Sequence, residues 1–137
     1  MHMIKLCVGA GSIADLEEWV ADRVRHAGEQ VHTTRMMPKR REEIMAGGSL
    51  FWVIKGELSC RQSILDLRPV RDADGISRCD IVLLPRVVPV HPRPRGPFQG
   101  WRYFDPREAP PDLEATGQTD QGLPVELQRE LRVIGLL

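Results

Sequence analysis

At 137 residues and 15.5 kDa the chain has the length of a single domain and can bury a hydrophobic core. Its formal net charge is zero, and its three cysteines include no C-x-x-C pair, which argues against a zinc or iron–sulfur site. No stretch has the length of a membrane span or the pattern of a signal peptide. We therefore predict a cytoplasmic protein with reduced thiols, no metal, no cofactor and no membrane partner, and the sequence leaves the oligomeric state open.

The charge is distributed unevenly along the chain. Residues 32–107 contain 14 Lys/Arg against 8 Asp/Glu, and the flanking residues are acidic by the same margin. Such a distribution arises when charges simply segregate over solvated faces. It also arises when a neutral protein holds a cationic cleft, which attracts anions without a general affinity for DNA. Both interpretations stay open at the level of sequence.

The first elements in chain order are a short apolar strand over residues 3–8 and an amphipathic helix. Ser12 suits the N-cap of this helix, its apolar residues recur at helical spacing, and Gly28 suits its C-terminal end. The two glycines between strand and helix, Gly9 and Gly11, lack the third glycine of a dinucleotide-binding loop and the Gly-Lys-Ser/Thr of a P-loop. The pattern predicts a tight turn into a capped helix and no nucleotide-binding fold of these types.

A second strand over residues 31–37 is followed by a predicted helix over residues 38–46, which Pro38 opens. Three cations fill the first turn of this helix: Lys39, Arg40 and Arg41. Cations at a helix N-terminus oppose the helix dipole, at about 0.3–1 kcal/mol each. They therefore indicate either an anion-binding site or a surface where the following glutamates, Glu42 and Glu43, pair with them.

A hairpin occupies the middle of the chain. Residues 49–55 are apolar on both alternating faces as far as Lys55, which predicts a central strand covered on both sides. Lys55 is placed either to act chemically with a pKa lowered by burial or to pack its stem while its ammonium reaches water.

The returning strand of the hairpin changes parity along its length. Its apolar residues fall on one parity before residues 61–63 and on the other after them (Leu58 and Cys60; Leu65 and Leu67). One regular strand cannot point all of them inward, so we predict a β-bulge or bend at residues 61–63. Such an irregularity bends a small sheet, and it would set the direction in which the Arg61 and Gln62 side chains point.

The second half of the chain is rich in proline. We predict a loop over residues 68–78, a strand over 79–84 that 87–90 extends as an edge, and a stiff extended segment over 91–97. Residues 98–104 hold four of the seven aromatic residues and form a strand toward their end. Trp101 and Tyr103 beside Arg102 would give an aromatic platform that stacks bases, or they plug one end of the core.

The C-terminal part of the chain is acidic. The acidic composition of residues 105–122 predicts an irregular segment. The apolar pattern of residues 123–137 predicts a C-terminal helix that docks on the sheet.

Four runs of the sequence carry a family resemblance: HTTRM at 32–36 (with PKR at 38–40), GGSLFWVIKG at 47–56, RQSIL at 61–65 and FQGWRY at 98–103. They resemble an uncharacterised bacterial family, the domain of unknown function 1489, over nearly the whole chain. More distantly, a short helix ending in glycines, an apolar strand, a basic residue and a bent return strand resemble PUA-like β-barrels, including ASCH-type domains. That resemblance implies binding of RNA or modified nucleotides and, for some members, an amidohydrolase that uses lysine, threonine and glutamate. The short ASCH motif of glycine, lysine, glutamate and arginine is absent here.

Together these features predict one α+β domain over residues 1–137. It would contain a small, strongly bent mixed or antiparallel sheet, or a PUA-like pseudobarrel, with two or three flanking helices. The first functional hypothesis is a basic, aromatic-lined cleft that binds RNA or a nucleotide-like anion. Its predicted ligand-binding residues are Arg35, Lys39, Arg40, Arg41, Trp52, Lys55, Arg61, Gln62, Gln99, Trp101, Arg102 and Tyr103.

Two alternatives belong to other classes. One is a small hydrolase of a modified nucleoside, in which Lys39 or Lys55 would act with Thr33 or Thr34 and with Glu57. The other is a non-catalytic interaction or regulatory domain that works through its acidic tail and last helix. No nucleophile–base motif is evident, so the sequence names no catalytic residue.

Overall fold

The computed structural model describes residues 1–113 of the protein, and this part of the chain is built on a mixed sheet of seven strands. In chain order the elements are β1 His2–Leu6, α1 Ile13–Ala27, β2 Gln30–Thr34, α2 Arg41–Met45, β3 Ser49–Ile54, β4 Glu57–Arg71, β5 Ser77–Leu83, β6 Val88–Pro94, β7 Trp101–Phe104 and a 3-10 turn at Pro106–Glu108.

The sheet is mixed, with the strand order β2-β5-β4-β3-β1-β7, and β6 pairs with β4 beside that path. β1 and β3 are parallel, and the other pairs are antiparallel. The first half of the 15-residue β4 pairs with both β3 and β6, and its second half pairs with β5. Over the described residues the sheet does not close, and two α-helices accompany it. This architecture confirms the α+β class.

β3 lies at the centre of the core, as its two apolar faces predicted. All six of its residues are buried. One face joins a cluster shared with α1 and α2 that includes Leu16, Ile44 and Trp52. The other face joins a smaller cluster that includes Phe51 and Phe104. A strand buried on both sides needs apolar residues on both alternating faces, and this is what its sequence supplies.

α1 begins and ends where its capping residues predicted. The Ser12 hydroxyl accepts a hydrogen bond from the Asp15 amide at 3.1 Å, which satisfies one free N–H of the first turn. Gly28 ends the helix with a φ of 78°, a left-handed conformation that glycine adopts without strain. Leu16 and Val20 are the buried residues of the helix and pack on the sheet.

The predicted helix over residues 38–46 is wrong in its start, because α2 covers only Arg41–Met45. Lys39 and Arg40 therefore precede the helix and do not form its first turn. Tertiary hydrogen bonds hold the backbone before it: the Trp101 indole donates to the Met36 carbonyl at 2.8 Å, and the Tyr103 hydroxyl accepts from the Arg40 amide at 3.1 Å. These partners lie far away in sequence, so local pattern could not reveal them.

The predicted irregularity of the return strand exists, but not at residues 61–63. β4 shifts register between Leu58 and Cys60 and again between Ile64 and Asp66. The first shift turns Leu58 and Cys60 to opposite faces, so they belong to different core clusters. The second leaves Leu65 exposed. The predicted position is wrong because not every apolar side chain of this strand points inward: Leu65 faces solvent.

The predicted loop over residues 68–78 is mostly strand. β4 continues to Arg71 and β5 begins at Ser77, so only a short turn separates them. The Asp72 carboxylate organises this turn by accepting hydrogen bonds from the amides of Asp74 and Ile76, each at 3.0 Å. In the same way β6 extends to Pro94, into the segment predicted to be a stiff extended loop.

After β7 the chain crosses back toward β6. It passes the 3-10 turn Pro106–Glu108, and Asp112 then forms an isolated antiparallel bridge with Val90. The remainder of the predicted acidic segment and the predicted helix over 123–137 lie outside the described residues. Within residues 1–113 no helix is both long and apolar enough to cross a membrane.

Candidate functional site

Arg40 and Arg41, two of the predicted ligand-binding cations, are paired with carboxylates. The Arg40 guanidinium donates to both oxygens of Glu43, at 2.6 and 2.7 Å, and this contact lowers the pKa of Glu43. Arg41 donates to the Asp66 carboxylate at 2.8 Å and to the Leu67 carbonyl at 3.2 Å. Arg40 thus shows the pairing with a following glutamate that the sequence left open as an alternative to an anion site, whereas Arg41 pairs with a carboxylate of β4. Lys39, just before these residues, is exposed.

Arg61 is also neutralised, in a partly buried position. Its guanidinium donates to both carboxylate oxygens of Asp112, at 2.8 and 2.7 Å, and to the Ser49 hydroxyl at 3.0 Å. The hydrogen bonds from Arg61 lower the pKa of Asp112. This bidentate pair joins β4 to the returning segment at residues 105–113.

Trp52 and Gln62 lie inside the core. Gln62 is fully buried, and its carbonyl oxygen accepts from the Trp52 indole at 3.0 Å and from the Gln30 amide at 3.3 Å. Its own amide donates to Gln30 and to the Leu84 carbonyl. The Trp52 ring meets the His32 ring edge-on, with centroids 5.2 Å apart. The polar groups of these side chains are hydrogen-bonded to one another in the core, and the buried Trp52 ring is not accessible for stacking on a ligand.

Lys55 does not join the other predicted cations. It follows β3 in the turn to β4, where it has a positive φ of 49°. Its side chain lies beside Gly11, just before α1. Thr33, its proposed partner in a hydrolase, donates to the Asp80 carboxylate at 2.7 Å, and Thr34 is buried. Within residues 1–113 no hydrogen bond joins a lysine to either threonine. Of the seven predicted cations, only Arg35 lines either of the two cavities described below.

Trp101 and Tyr103 are in contact at the edge strand β7. Their rings meet edge-on, with centroids 4.8 Å apart, and Trp101 is buried. Tyr103 keeps 37% of its surface exposed, and the Arg40 guanidinium lies 5.5 Å from its ring centroid. Trp101 therefore closes the core, as one of the two interpretations of this segment expected, and Tyr103 is the aromatic that remains accessible.

A second group of cations surrounds Phe98 in the loop between β6 and β7. The guanidinium of Arg95 lies 5.1 Å from the centroid of the Phe98 ring, and that of Arg102 lies 5.7 Å from it. Arg102 also donates to the carbonyls of Gln99 and Trp101, at 2.7 and 3.2 Å. Neither guanidinium has a carboxylate partner in the described part of the chain. We call these three residues the Arg95–Phe98–Arg102 cluster.

A small cavity opens beside this cluster, with a volume of about 210 Å³. Arg93, Arg95 and Phe104 are among its lining residues, and so is Glu108, whose carbonyl accepts a hydrogen bond from Arg93 at 2.7 Å. Arg102 is among the residues predicted from the sequence, whereas Arg93, Arg95 and Phe98 are not. The available signal was the alternation of arginine and proline over residues 92–97, since a stiff backbone fixes the spacing of the cations that it carries.

Arg35 lies elsewhere. It lines a wider groove of about 380 Å³ between the segment after β2 and the β4–β5 hairpin. Gln99, the remaining predicted residue, is exposed in the loop before β7.

The described residues hold no group of three or more His, Cys, Asp or Glu side chains that could bind a metal ion. All three cysteines are free and buried, and burial raises the pKa of Cys79 to about 11. These thiols are therefore protonated at neutral pH and poor nucleophiles.

His32 is a partly buried histidine whose Nε2 atom is shielded from solvent and has no hydrogen-bond partner within residues 1–113. Burial, and to a smaller extent the charges of Lys5 and Arg23, lower its pKa to about 4. The pKa of His2 shifts in the same direction, mainly through burial, and its Nδ1 accepts a hydrogen bond from the Ser49 amide at 2.9 Å. Both imidazoles are therefore neutral in the folded protein at pH 7.

We expect the free energy of unfolding to fall as the pH drops from 6.5 to 4. Unfolded His32 takes up a proton near pH 6.5, whereas the folded imidazole, with its pKa lowered to about 4, does so near pH 4, so stability is complete above this window and is lost through it. The slope is about 1.4 kcal/mol per pH unit for one histidine. Urea titrations across the window should show a shallower slope for His32→Phe, with His2 carrying the remainder. An unchanged slope in His32→Phe would contradict this assignment.

The described residues thus form an α+β fold with an open sheet, and the arginines of the Arg95–Phe98–Arg102 cluster lie on its β6–β7 side. The chain belongs to the family described as protein of unknown function (DUF1489), whose family model matches residues 3–137. This confirms the family resemblance of the four sequence runs. No curated protein matches the chain, and no solved structure matches it either.

Proposed function

We propose that the protein binds RNA on the surface formed by the end of β6, the β6–β7 loop and the exposed side of β7. The single observation that carries the proposal is the Arg95–Phe98–Arg102 cluster, in which two guanidiniums share one aromatic ring and lack a carboxylate partner within residues 1–113. Neighbouring cations without counter-ions attract phosphate groups.

The cluster is preorganised for such contacts. The Phe98 ring holds both guanidiniums, and the backbone carbonyls of Gln99 and Trp101 orient Arg102 further. Positioning the donors before binding reduces the side-chain entropy lost on binding. The stiff segment before the loop also limits the movement of Arg95.

Aromatic and polar groups suited to bases lie next to these cations. Tyr103 projects from β7 with its ring partly exposed, and Gln99 offers an exposed amide. Guanidinium planes and aromatic rings are the usual stacking surfaces for unpaired bases. We therefore propose single-stranded RNA as the ligand, with the phosphates on the arginines and a base on Tyr103.

A PUA-like fold is part of the same proposal. Two features support it: the register shifts of β4, which are irregularities of the kind that bend a sheet, and the bridge between Val90 and Asp112, which brings Asp112 against β6. The two alternative functions depend on other parts of the chain. The hydrolase lacks a lysine–threonine hydrogen bond among the described residues, and the proposed interaction tail lies largely beyond residue 113.

We expect the double substitution Arg95→Ala and Arg102→Ala to weaken binding of a fluorescently labelled single-stranded RNA in anisotropy titrations. The slope of the logarithm of affinity against the logarithm of salt concentration should fall by about 1.4, since each lost phosphate contact on a single strand removes about 0.7. Tyr103→Ala should weaken binding with little change in that slope.

The matched control is Arg25→Ala, which removes an exposed arginine that pairs with Asp22 on α1. It should leave RNA binding unchanged. Absence of salt-sensitive RNA binding by the wild-type protein, or an equal loss in Arg25→Ala, would refute the proposed function.

A further inference from the structure

A second groove lies beside Arg35, and none of its lining residues belongs to the proposed RNA surface. Three arginines line it: Arg35 follows β2, Arg71 ends β4 and Arg78 lies near the start of β5. The hairpin of β4 and β5 and the segment leaving β2 thus bring together cations that are up to 43 residues apart in sequence. Cations gathered on one groove reinforce each other's field and raise the local concentration of anions.

The groove carries an excess of positive charge. Arg78 is neutralised by Asp72, whose carboxylate accepts its hydrogen bond at 2.7 Å. Arg35 and Arg71 are exposed, and neither guanidinium makes a hydrogen bond or an ion pair within residues 1–113. Two guanidiniums are thus left to bind a ligand, which matches the charge of about −1.5 to −2 on a phosphate monoester at pH 7.

The remaining lining of the groove is mainly apolar. Met37, Pro69 and Val70 contribute it, and Ser77 adds a hydroxyl. The volume of about 380 Å³ falls within the range of about 300–1,000 Å³ typical of small-molecule sites, whereas the cavity beside the Arg95–Phe98–Arg102 cluster is smaller. An apolar wall beside two free guanidiniums fits a ligand with a phosphate at one end and an apolar body at the other.

We propose that this groove binds a phosphorylated small molecule. Its phosphate accepts hydrogen bonds from Arg35 and Arg71, and its body packs on Met37, Pro69 and Val70. The inference does not depend on RNA binding, because it uses none of the residues of the β6–β7 surface.

Isothermal titration calorimetry with phenyl phosphate, inorganic phosphate and phenol tests the proposal on the full chain. We expect phenyl phosphate to bind more tightly than inorganic phosphate, and phenol not to bind. Arg35→Ala and Arg71→Ala should each weaken phenyl phosphate binding by about ten-fold or more, the loss expected for charge-assisted hydrogen bonds. Arg35→Lys should lose less, because it keeps the charge and gives up only the forked geometry.

Two variants distinguish binding in this groove from binding elsewhere on the protein. Arg25→Ala and the double Arg95→Ala, Arg102→Ala variant should bind phenyl phosphate like the wild-type protein. Lack of phenyl phosphate binding, or an equal loss in Arg25→Ala, would overturn the inference. A loss confined to the Arg95 and Arg102 variant would also overturn it, and would leave the proposed RNA surface intact. Circular dichroism of each variant confirms that the fold is retained.

Discussion

Replacing Gln62 by leucine is expected to lower the free energy of unfolding by about 3 kcal/mol or more. Leucine fills most of the volume but forms no hydrogen bond, so the Trp52 indole, the Gln30 amide and the Leu84 carbonyl all lose their contact with this side chain in the core. Each buried polar group without a partner costs about 1–3 kcal/mol. Urea titration should show the loss, and the melting temperature should fall by about 10 °C.

Two further variants sharpen this result. Gln99→Leu makes the same chemical change at an exposed position and should alter stability by no more than about 0.5 kcal/mol. The double variant Gln30→Leu, Gln62→Leu removes both members of the amide pair and should cost less than the sum of the single changes. If Gln62→Leu is as stable as the wild-type protein, the buried amide network does not stabilise the fold.

Arg61→Ala is expected to lower the free energy of unfolding by about 2 kcal/mol. The change leaves Asp112 without its bidentate partner and removes the hydrogen bond to Ser49. Side chains of the pair are 23% and 27% exposed, which places the expected effect below that of a fully buried pair and above that of a surface pair. Amide hydrogen exchange should accelerate at His91, whose N–H donates to the Pro111 carbonyl in the segment that Arg61 anchors.

The pH dependence of this pair has a defined sign. Because Arg61 lowers the pKa of Asp112, the stabilisation is complete above the ordinary value of 3.8 and is lost as the pH falls through the lowered value. Arg25→Ala, at an exposed pair, is the control and should change stability by less than about 1 kcal/mol. A double-mutant cycle with Asp112→Ala that gives no coupling energy would contradict the role assigned to the pair.

Local pattern predicted those elements whose stability is itself local. α1 carries its N-cap, its apolar stripe and its C-terminal glycine within 17 residues, and it begins and ends accordingly. The unbroken apolar run of β3 likewise predicted a strand with two buried faces. In both cases the decisive groups are close neighbours along the chain.

The start of α2 was decided by partners far along the chain. Its backbone approach is held by Trp101 and Tyr103, more than 60 residues away, so a helix that Pro38 should open begins only at Arg41. The register shifts of β4 depend in the same way on which strand lies opposite each residue.

The candidate site shows the same division. Sequence identified the cations of the chain and the aromatic run before β7, but it could not distinguish Arg61, paired with Asp112, from Arg95, which has no carboxylate partner in the described residues. Whether a cation is neutralised depends on a carboxylate 51 residues away for Arg61, and that contact is set by tertiary folding. By itself the sequence determined the α+β class, α1 and the buried central strand, because periodicity and capping are local. It also determined the family, through the four runs of residues that resemble it. The tertiary structure alone decided which arginines remain available to a ligand, because charge pairing depends on distance in space.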